Sequence, residues 1–310
     1  MADSPRSNSP IIRFMAWRRP ALLLSAVLTT LSILAIAFKG LVLGLDFTGG
    51  TQIELHFPQA VETEATRARL SAAGFVSPVV AHFGSENDLL IRLREGGEDL
   101  AARVLEAVGS DAGGAPELRR VDFVGPQVGA ELRDQGGIAV LVALLGILLY
   151  VAVRFQYKFA LGAALAVVHD TIVTLGFFAL FGYEFDLTVL AAVLTVIGYS
   201  INDTIVVFDR VRENFRLVRK GSAEEVMNLS MTQTLERTLV TSGSTLFVVL
   251  ALFFVGGEVL HNFSIALIVG ICFGTYSSIY VASALALELG VRREDLLPPV
   301  KEGAEFDGLP

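Results

Sequence analysis

The chain has 310 residues, of which 53% are hydrophobic and only 18% are charged, with a formal net charge of -8. Soluble globular domains carry about 25% charged residues, so this composition excludes an ordinary soluble protein and indicates an integral membrane protein. A single cysteine and four scattered histidines exclude a disulfide framework and predict no metal site.

Six apolar stretches are long enough to cross a membrane, which takes about 20 residues in a helix. They lie at Pro20–Phe38, Gly137–Val153, Phe159–Phe181, Leu187–Phe208, Leu239–Val255 and Phe263–Leu287. The first is too long for the apolar core of a typical signal peptide, so we favour an uncleaved span. Lys and Arg gather in the two tails and in the loops after spans two and four, but are absent from "GYEFD" and "GGEVLHN". Both termini are therefore predicted to be cytoplasmic.

The segment between the first two spans is predicted to form a domain on the outer side. In "TQIELHF" the side chains of Ile53, Leu55 and Phe57 share one face, which is typical of a strand with one buried side. A helix ("ETEATRARLSAAG"), an edge strand ("VSPVVAHF"), an alternating strand ("DLLIRLRE"), a helix ("EDLAARVLEAVG") and a strand ("LRRVDFVG") follow. The order β-α-β-β-α-β predicts a ferredoxin-like domain.

These patterns predict an α-helical polytopic membrane protein with six transmembrane helices and one α+β ferredoxin-like extracytoplasmic domain between helices 1 and 2. The expected divisions are a cytoplasmic tail at 1–19, the first span at 20–38, the outer domain at 39–135, the other five spans at 136–290 and a second cytoplasmic tail at 291–310.

Two glycine-rich stretches, "GLDFTGG" and "VGPQVG", frame the outer domain. Neither has the Lys-Ser/Thr pair of a phosphate-binding loop. One interpretation is that the glycines permit tight turns and the proline stiffens them. The other is a hinge at Gly49, Gly50, Gly125 and Pro126, on which the domain swings. The sequence leaves both open.

Polar residues interrupt three of the spans. Asn202 and Asp203 lie in span four, His169 and Asp170 lie in span three, and Arg237 begins span five. A charged side chain at the bilayer centre costs on the order of 3 kcal/mol, so such residues face the bundle interior, form pairs and mark ion paths or substrate sites. Structural interpretations remain open for each residue. Asp203 could be hydrated near the inner membrane surface, and His169 and Asp170 could form structural hydrogen bonds. Arg237 could be an ordinary anchor that follows the positive-inside rule.

A proton relay is the functional interpretation of these residues. Burial favours the neutral form of Asp203, whereas a nearby Arg237 would favour its charged form. A carboxyl group held between those influences can gain and lose a proton. We assign the hydroxyl groups of "TSGST", which follow Arg237, to close helix packing.

Four ordered segments resemble the SecF family, the smaller partner in the bacterial SecD–SecF pair. They are "GLDFTGGTQIEL", "VGPQVGAELR", "VIGYSINDTIVVFDRVREN" and "LSMTQTLERTLVTSGSTL". The resemblance implies the fold of the resistance-nodulation-division superfamily. It also implies a place in the bacterial inner membrane beside the SecYEG channel, with a separate SecD as partner and a preprotein as the moving substrate. No partner is expected among nucleic acids.

By this resemblance, Asp203 and Arg237 fall on the family's polar motifs of spans four and five, and His169 and Asp170 on a pair in span three. The implied role is a mechanical, non-enzymatic subunit without a cofactor, in which proton entry moves the outer domain and pulls the preprotein. Sodium as the coupling ion is left open.

Two other functions compete with this one. A small-molecule exporter of the same superfamily would need a larger outer region, and usually has twelve spans. A passive assembly factor would use Asp203 and Arg237 only to hold helices together. A membrane hydrolase is disfavoured, because no serine or cysteine lies suitably beside His169 and Asp170 in the sequence.

Overall fold

The computed structural model of the protein describes residues 10–97, 99–109, 114–218 and 221–292. Residues 1–9 of the predicted N-terminal tail and 293–310 of the predicted C-terminal tail lie outside these residues. The helices described are α1 (Arg18–Lys39), α2 (Leu45–Thr48), α3 (Thr63–Ala72), α4 (Leu100–Val108), α5 (Pro126–Arg154), α6 (Tyr157–Phe181), α7 (Leu187–Leu217), α8 (Ala223–Val255), α9 (Glu258–Ser277) and α10 (Ser283–Glu288). The strands are β1 (Val42–Leu43), β2 (Gly50–His56), β3 (Val79–Phe83), β4 (Ser85–Leu93), β5 (Glu117–Val124) and β6 (Glu184–Phe185).

The outer domain is the predicted ferredoxin-like unit. Its antiparallel sheet has the order β3-β4-β2-β5, which places β3 at an edge, as Pro78 indicates. The alternating residues of β2 and β4 point into one core with α3 and α4, and Ile53, Leu89 and Ile91 are all 0% exposed. The sheet is therefore covered by helices on one face, while its other face carries polar residues.

The six predicted spans are confirmed as six long apolar helices: α1, α5, α6, α7, α8, and a last one in which α9 and α10 are joined by a π-helical turn at Ser278–Ala282. Several helices reach further than the apolar stretches suggested. α5 begins at Pro126, because proline suits the first turn of a helix, so residues 126–135 are helical and do not belong to the outer domain's sheet. α8 begins at Ala223 with a capping box formed by Ser222 and Glu225.

The spans form a tight inner group and a looser outer group. In α6, α7 and the α9–α10 span, 56%, 56% and 67% of the most apolar stretch is buried within the chain. The corresponding shares for α1, α5 and α8 are 22%, 11% and 17%. Aromatic contacts such as the edge-to-face pair of Phe159 and Phe208, at 4.8 Å, fill the inner group. The polar residues picked out in spans three and four lie on helices of this inner group.

Candidate functional site

Small residues allow α7 and α9 to approach closely at the centre of the bundle. Gly270 and Gly274 are spaced as a GxxxG pair, the spacing that lets membrane helices pack backbone to backbone. A methyl group added at Gly270 would lie 2.1 Å from Cγ2 of Val196. One added at Gly274 would lie 3.4 Å from Cβ of Ser200 and 3.7 Å from Oδ2 of Asp170. This close crossing brings polar groups of three helices together.

Asp170 is the centre of the first polar group and is 1% exposed. Its Oδ2 accepts hydrogen bonds from the hydroxyl of Ser200 on α7, at 2.5 Å, and of Ser277 on α9, at 2.6 Å. Its Oδ1 lies 2.9 Å from Nδ1 of His169, whose Nε2 is buried and has no partner among the described residues. One carboxylate thus joins α6, α7 and α9.

Asp203 forms a second, separate group and is 3% exposed. The hydroxyl of Ser242 on α8 donates a 3.3 Å hydrogen bond to its Oδ2. The hydroxyl of Thr275 on α9 donates in turn to Ser242, at 2.8 Å. The hydroxyl run that follows Arg237 therefore does more than ease helix packing, because one of its members holds the buried carboxylate.

Arg237 and Asn202 do not lie in this group. Both are exposed, and both line a cavity of about 460 Å³ between the C-terminal half of α7 and the N-terminal half of α8, together with Asp209, Glu213 and Gln233. We call it the inner cavity, after the predicted orientation. Within the described residues, Arg237 has no ion pair at 4.0 Å or less. The structure thus buries Asp203 and Asp170 but does not bring Arg237 into contact with either.

Known proteins resemble this chain over nearly its whole length. It is 52% identical over 305 residues to the protein translocase subunit SecF of Vibrio alginolyticus, with 96% of this chain and 97% of that protein covered. It is 52% identical to the subunit of the same name from Pseudomonas aeruginosa, with 93% and 94% covered. Residues 104–292 match the family described as the C-terminal part of the protein export membrane protein SecD/SecF, and residues 34–61 match the SecD/SecF GG motif.

The chain belongs to the SecD/SecF family. The family resemblance predicted from the four sequence segments is thereby confirmed.

A solved structure supports the same assignment at the level of the fold. The crystal structure of SecDF, a translocon-associated membrane protein from Thermus thermophilus, matches with a TM-score of 0.83 and 40% identity. The match covers 91% of this chain but only 39% of that one. A second SecDF structure, in a form described as super-membrane-facing, matches with a TM-score of 0.67 and 38% identity.

The GG motif of the SecD/SecF family packs against the start of α5. Gly49 and Gly50 have φ angles of +68° and +123°, which only glycine adopts readily. A methyl group on Gly49 would lie 2.8 Å from Cα of Pro126, and one on Gly129 would lie 2.8 Å from the Gly49 nitrogen. The two glycine-rich stretches, with Gly125 extended just before α5, therefore form one packed joint. A hinge at these four residues stays a prediction.

A further contact between the outer domain and the bundle was not predicted from the sequence. We call it the outer clasp; it consists of the parallel pairing of β1 with β6, the ion pair of Arg92 with Glu184 at 2.6 Å, and the hydrogen bond from the Leu187 nitrogen to Oδ2 of Asp46 at 3.0 Å. It ties the segment after α1 and strand β4 to the loop where α7 begins. Two-residue strands give no periodic signal, which is why sequence patterns missed it.

Beside the outer clasp, a polar cavity of about 490 Å³ separates the sheet from the bundle. Glu54, Arg92 and Asp122 line it from the domain, and Glu184 and Asn262 line it from the bundle. Burial raises the pKa of Glu54, against the attraction of Arg120. The outer ends of α7 and α9 thus face this polar cavity. Apolar packing, such as that of Val196 on Gly270, lies between the cavity and the buried carboxylates.

The sixth span supplied polar residues that sequence reasoning did not select. Thr275 and Ser277 were passed over because single hydroxyl groups in an apolar helix are common and usually bond to their own backbone. The GxxxG spacing of Gly270 and Gly274, directly before them, is the signal that could have marked this part of α9 as a close helix crossing.

Proposed function

We propose that this member of the SecD/SecF family uses ion entry at Asp203 to drive movements of its outer domain during protein export. The observation that carries the proposal is a carboxyl group that is 3% exposed, receives one 3.3 Å hydrogen bond from Ser242, and has no cationic partner at 4.0 Å or less among the described residues. Burying an ionised carboxylate without a cationic partner costs free energy, so the neutral and charged forms of Asp203 favour different packing of the surrounding helices.

The position of Asp203 suits alternating access. Its neighbour Asn202 lines the inner cavity, whereas the close packing of Val196 on Gly270 lies toward the polar cavity beside the outer clasp. We propose that this conformation is the one open toward the cytoplasmic side. We propose that a proton taken up from outside in another conformation leaves Asp203 toward the inner cavity, which Asn202 and Arg237 line. One charge crossing 100 mV supplies about 2.3 kcal/mol, which shifts a two-state equilibrium roughly fiftyfold.

The partners follow from the family. We propose SecD as the other half of the transport unit, the SecYEG channel as its neighbour in the bacterial inner membrane, and a translocating preprotein as the load. His169 and Asp170 are proposed as a second part of the relay. Protons are the proposed coupling ion, with sodium as the alternative, and no covalent chemistry or cofactor is involved. The termini are proposed to be cytoplasmic.

The test is preprotein translocation into energised vesicles that contain SecD, SecYEG and either the wild-type chain or Asp203→Asn. We expect the substitution to remove the part of translocation that depends on the proton-motive force, because asparagine cannot take up and release a proton. The matched control is Asp134→Asn, since that carboxylate is exposed on α5 and does not line the inner cavity. Unchanged force dependence in Asp203→Asn would support the passive assembly factor instead.

The same vesicles identify the ion. Translocation driven by a pH gradient in sodium-free buffer supports protons. Translocation that needs a sodium gradient and persists when the pH gradient is dissipated supports sodium.

A further inference from the structure

The two buried carboxylates sit on different helices, yet both are connected to the same short stretch of α9. Ser277 donates directly to Asp170, at 2.6 Å. Thr275 reaches Asp203 through Ser242, with bonds of 2.8 Å and 3.3 Å. Residues two apart in an α-helix point about 200° apart, so these hydroxyls extend from nearly opposite sides of α9. α9 is therefore placed to respond to both carboxylates.

Each hydroxyl also has a second acceptor within α9 itself. The Ser277 hydroxyl lies 3.1 Å from the carbonyl oxygen of Gly274, and the Thr275 hydroxyl lies 2.8 Å from that of Ile271. A hydroxyl has one proton to donate, so it can satisfy only one acceptor at a time. Each of the two side chains thus has two available partners, one outside the helix and one inside it.

Protonation of a carboxylate changes which partner is preferred. Oδ2 of Asp170 accepts from Ser200 and Ser277, at 2.5 Å and 2.6 Å. A proton bound to that oxygen occupies one of its acceptor sites and must itself be donated, so one hydroxyl has to turn away. Ser277 can then bond to Gly274 instead. For Asp203 the same exchange passes through Ser242 to Thr275.

The α-helical hydrogen-bonding pattern of α9 ends directly after Thr275 and Ser277. Ser278–Ala282 form a π-helical turn, and the Ser283 hydroxyl donates to the Ser278 carbonyl oxygen at 3.1 Å. Single π-turns inside α-helices occur frequently at functional sites, and hydroxyls that bond back to their own helix tend to bend it. A change of partner at Thr275 or Ser277 therefore acts on a segment that is already irregular.

We propose that Thr275 and Ser277 are positioning residues through which α9 responds to the protonation of both Asp203 and Asp170, with the π-turn as the element that moves. The proposal rests on the proposed function, since it describes how ion binding there reaches the packing of the helices. It makes the two carboxylates one unit although the structure shows no direct contact between them.

The first test measures hydrogen–deuterium exchange of the α9–α10 backbone in the chain bound to SecD in lipid nanodiscs. We expect Asp170→Asn and Asp203→Asn each to change exchange in the same peptide, residues 275–284, by at least about threefold. The reason is that asparagine always presents an uncharged side chain to the hydroxyl groups that bond to the carboxylate. Asp134→Asn, at an exposed position of α5, is the control and should leave that peptide unchanged. If only one of the two substitutions, or neither, alters this peptide, the shared response of α9 is refuted.

The second test measures force-dependent translocation. We expect Thr275→Val and Ser277→Ala to lower it at least about fivefold, which corresponds to the loss of one hydrogen bond to a charged network. Thr275→Ser keeps the hydroxyl and should restore it. Ser264→Ala is the matched control, because Ser264 is equally buried on α9 but lies outside the π-turn, and its hydroxyl has no hydrogen-bond partner among the described residues. Equal losses in Ser264→Ala and Ser277→Ala would overturn the proposal.

The outcomes distinguish the proposed response of α9 from the proposed function. Loss of force-dependent translocation in Asp203→Asn with no change of exchange in α9 would refute this inference and leave the proposed function standing. Unaltered translocation in Asp203→Asn would refute the proposed function itself, whatever α9 does.

Discussion

Asp88 and Glu54 lie on neighbouring strands of the outer domain, and their surroundings act on them in opposite ways. The Ser85 hydroxyl donates a 2.6 Å hydrogen bond to Asp88, which together with His56 and Arg119 lowers the pKa of that carboxyl group. Burial raises the pKa of Glu54. Asp88 therefore stabilises the folded domain above the ordinary carboxyl pKa and loses that contribution as the pH falls through its lowered value, whereas Glu54 is favoured in its neutral form.

Ser85→Ala tests the contribution of Asp88. We expect it to lower the stability of the outer domain at pH 7 by about 1 kcal/mol or less, because the lost bond reaches a charged but partly solvated group. Exchange of the β2 and β4 amides, expressed as the ratio of variant to wild type, should rise up to about fivefold at pH 7 and approach one below the lowered pKa of Asp88. A ratio that does not depend on pH would show that the hydroxyl acts on the loop and not on the carboxylate.

Gly176 is the residue on which the approach of α1 to α6 depends. A methyl group there would lie 2.5 Å from Cα of Ser32 and 2.2 Å from its Cβ. Gly176→Ala should therefore destabilise the protein by about 1–3 kcal/mol, seen as a lower thermal unfolding midpoint in detergent. Gly146→Ala on α5 is the control, because that position has open space around it and gains helix propensity. Equal midpoints for both variants would mean that α1 can shift at little cost.

Among the secondary-structure elements, α7 has a special place because it carries Asp203 and begins in the outer clasp. Its first backbone nitrogens bond to Asp46 of the GG-motif segment and to Asp186 of its own cap. A shift of α7 along its axis would thus pull on the outer domain at this point. The sequence left open whether the glycine-rich joints act as a hinge, and the structure adds this second connection between the bundle and the domain.

A reversible cross-link tests whether the outer clasp moves. Val42 and Glu184 are register partners in the β1–β6 ladder, so cysteines at both positions, with Cys272 changed to serine, should form a disulfide. We expect oxidation to abolish force-dependent translocation and reductant to restore it. Cysteines at Glu54 and Leu90, which are partners within the domain's own sheet, provide the control and should not inhibit. Full activity of the oxidised clasp would show that the domain and α7 move as one body.

Sequence periodicity predicted most elements because each long segment buries one face. The alternation around Ile53 and Leu89 and the six apolar stretches each specify an element without help from the rest of the chain. What it could not predict are contacts that depend on two distant segments meeting, such as Arg92 with Glu184 or Ser277 with Asp170. Arg237 shows the reverse case: its position suggested a pair with Asp203, yet its helix directs it into the inner cavity.

At the scale of the whole molecule, three helices are only partly covered within the chain: α1, α5 and α8 bury 22%, 11% and 17% of their most apolar stretches. One such surface, the side of α7 and α8 that lines the inner cavity, also exposes Asn202 and Arg237. Lipid cannot satisfy an arginine, so this side is expected to face a polar surface of another bundle or water held between the two. This agrees with SecD as the proposed partner.

Heat stability with and without SecD tests this view. The thermal midpoint of the chain should be higher in the complex, because a partner that binds only the folded state stabilises it. Arg237→Leu should raise the stability of the chain alone, by up to about 3 kcal/mol, and give no gain in the complex. If the thermal midpoint is the same with and without SecD, and Arg237→Leu does not change it, this side faces lipid in the working protein.

The outer clasp also fixes the order in which the newly made chain can reach its final form. The buried core residues of the outer domain lie between Ile53 and Val108, but Asp46 bonds to Leu187, a residue 141 positions later. We therefore expect the domain to fold before α7 is made and to dock only after the α6–α7 hairpin has inserted. A protease added outside the membrane during synthesis should accordingly find a folded domain on a still cleavable tether, between Gly40 and Asp46, that becomes resistant when α7 arrives.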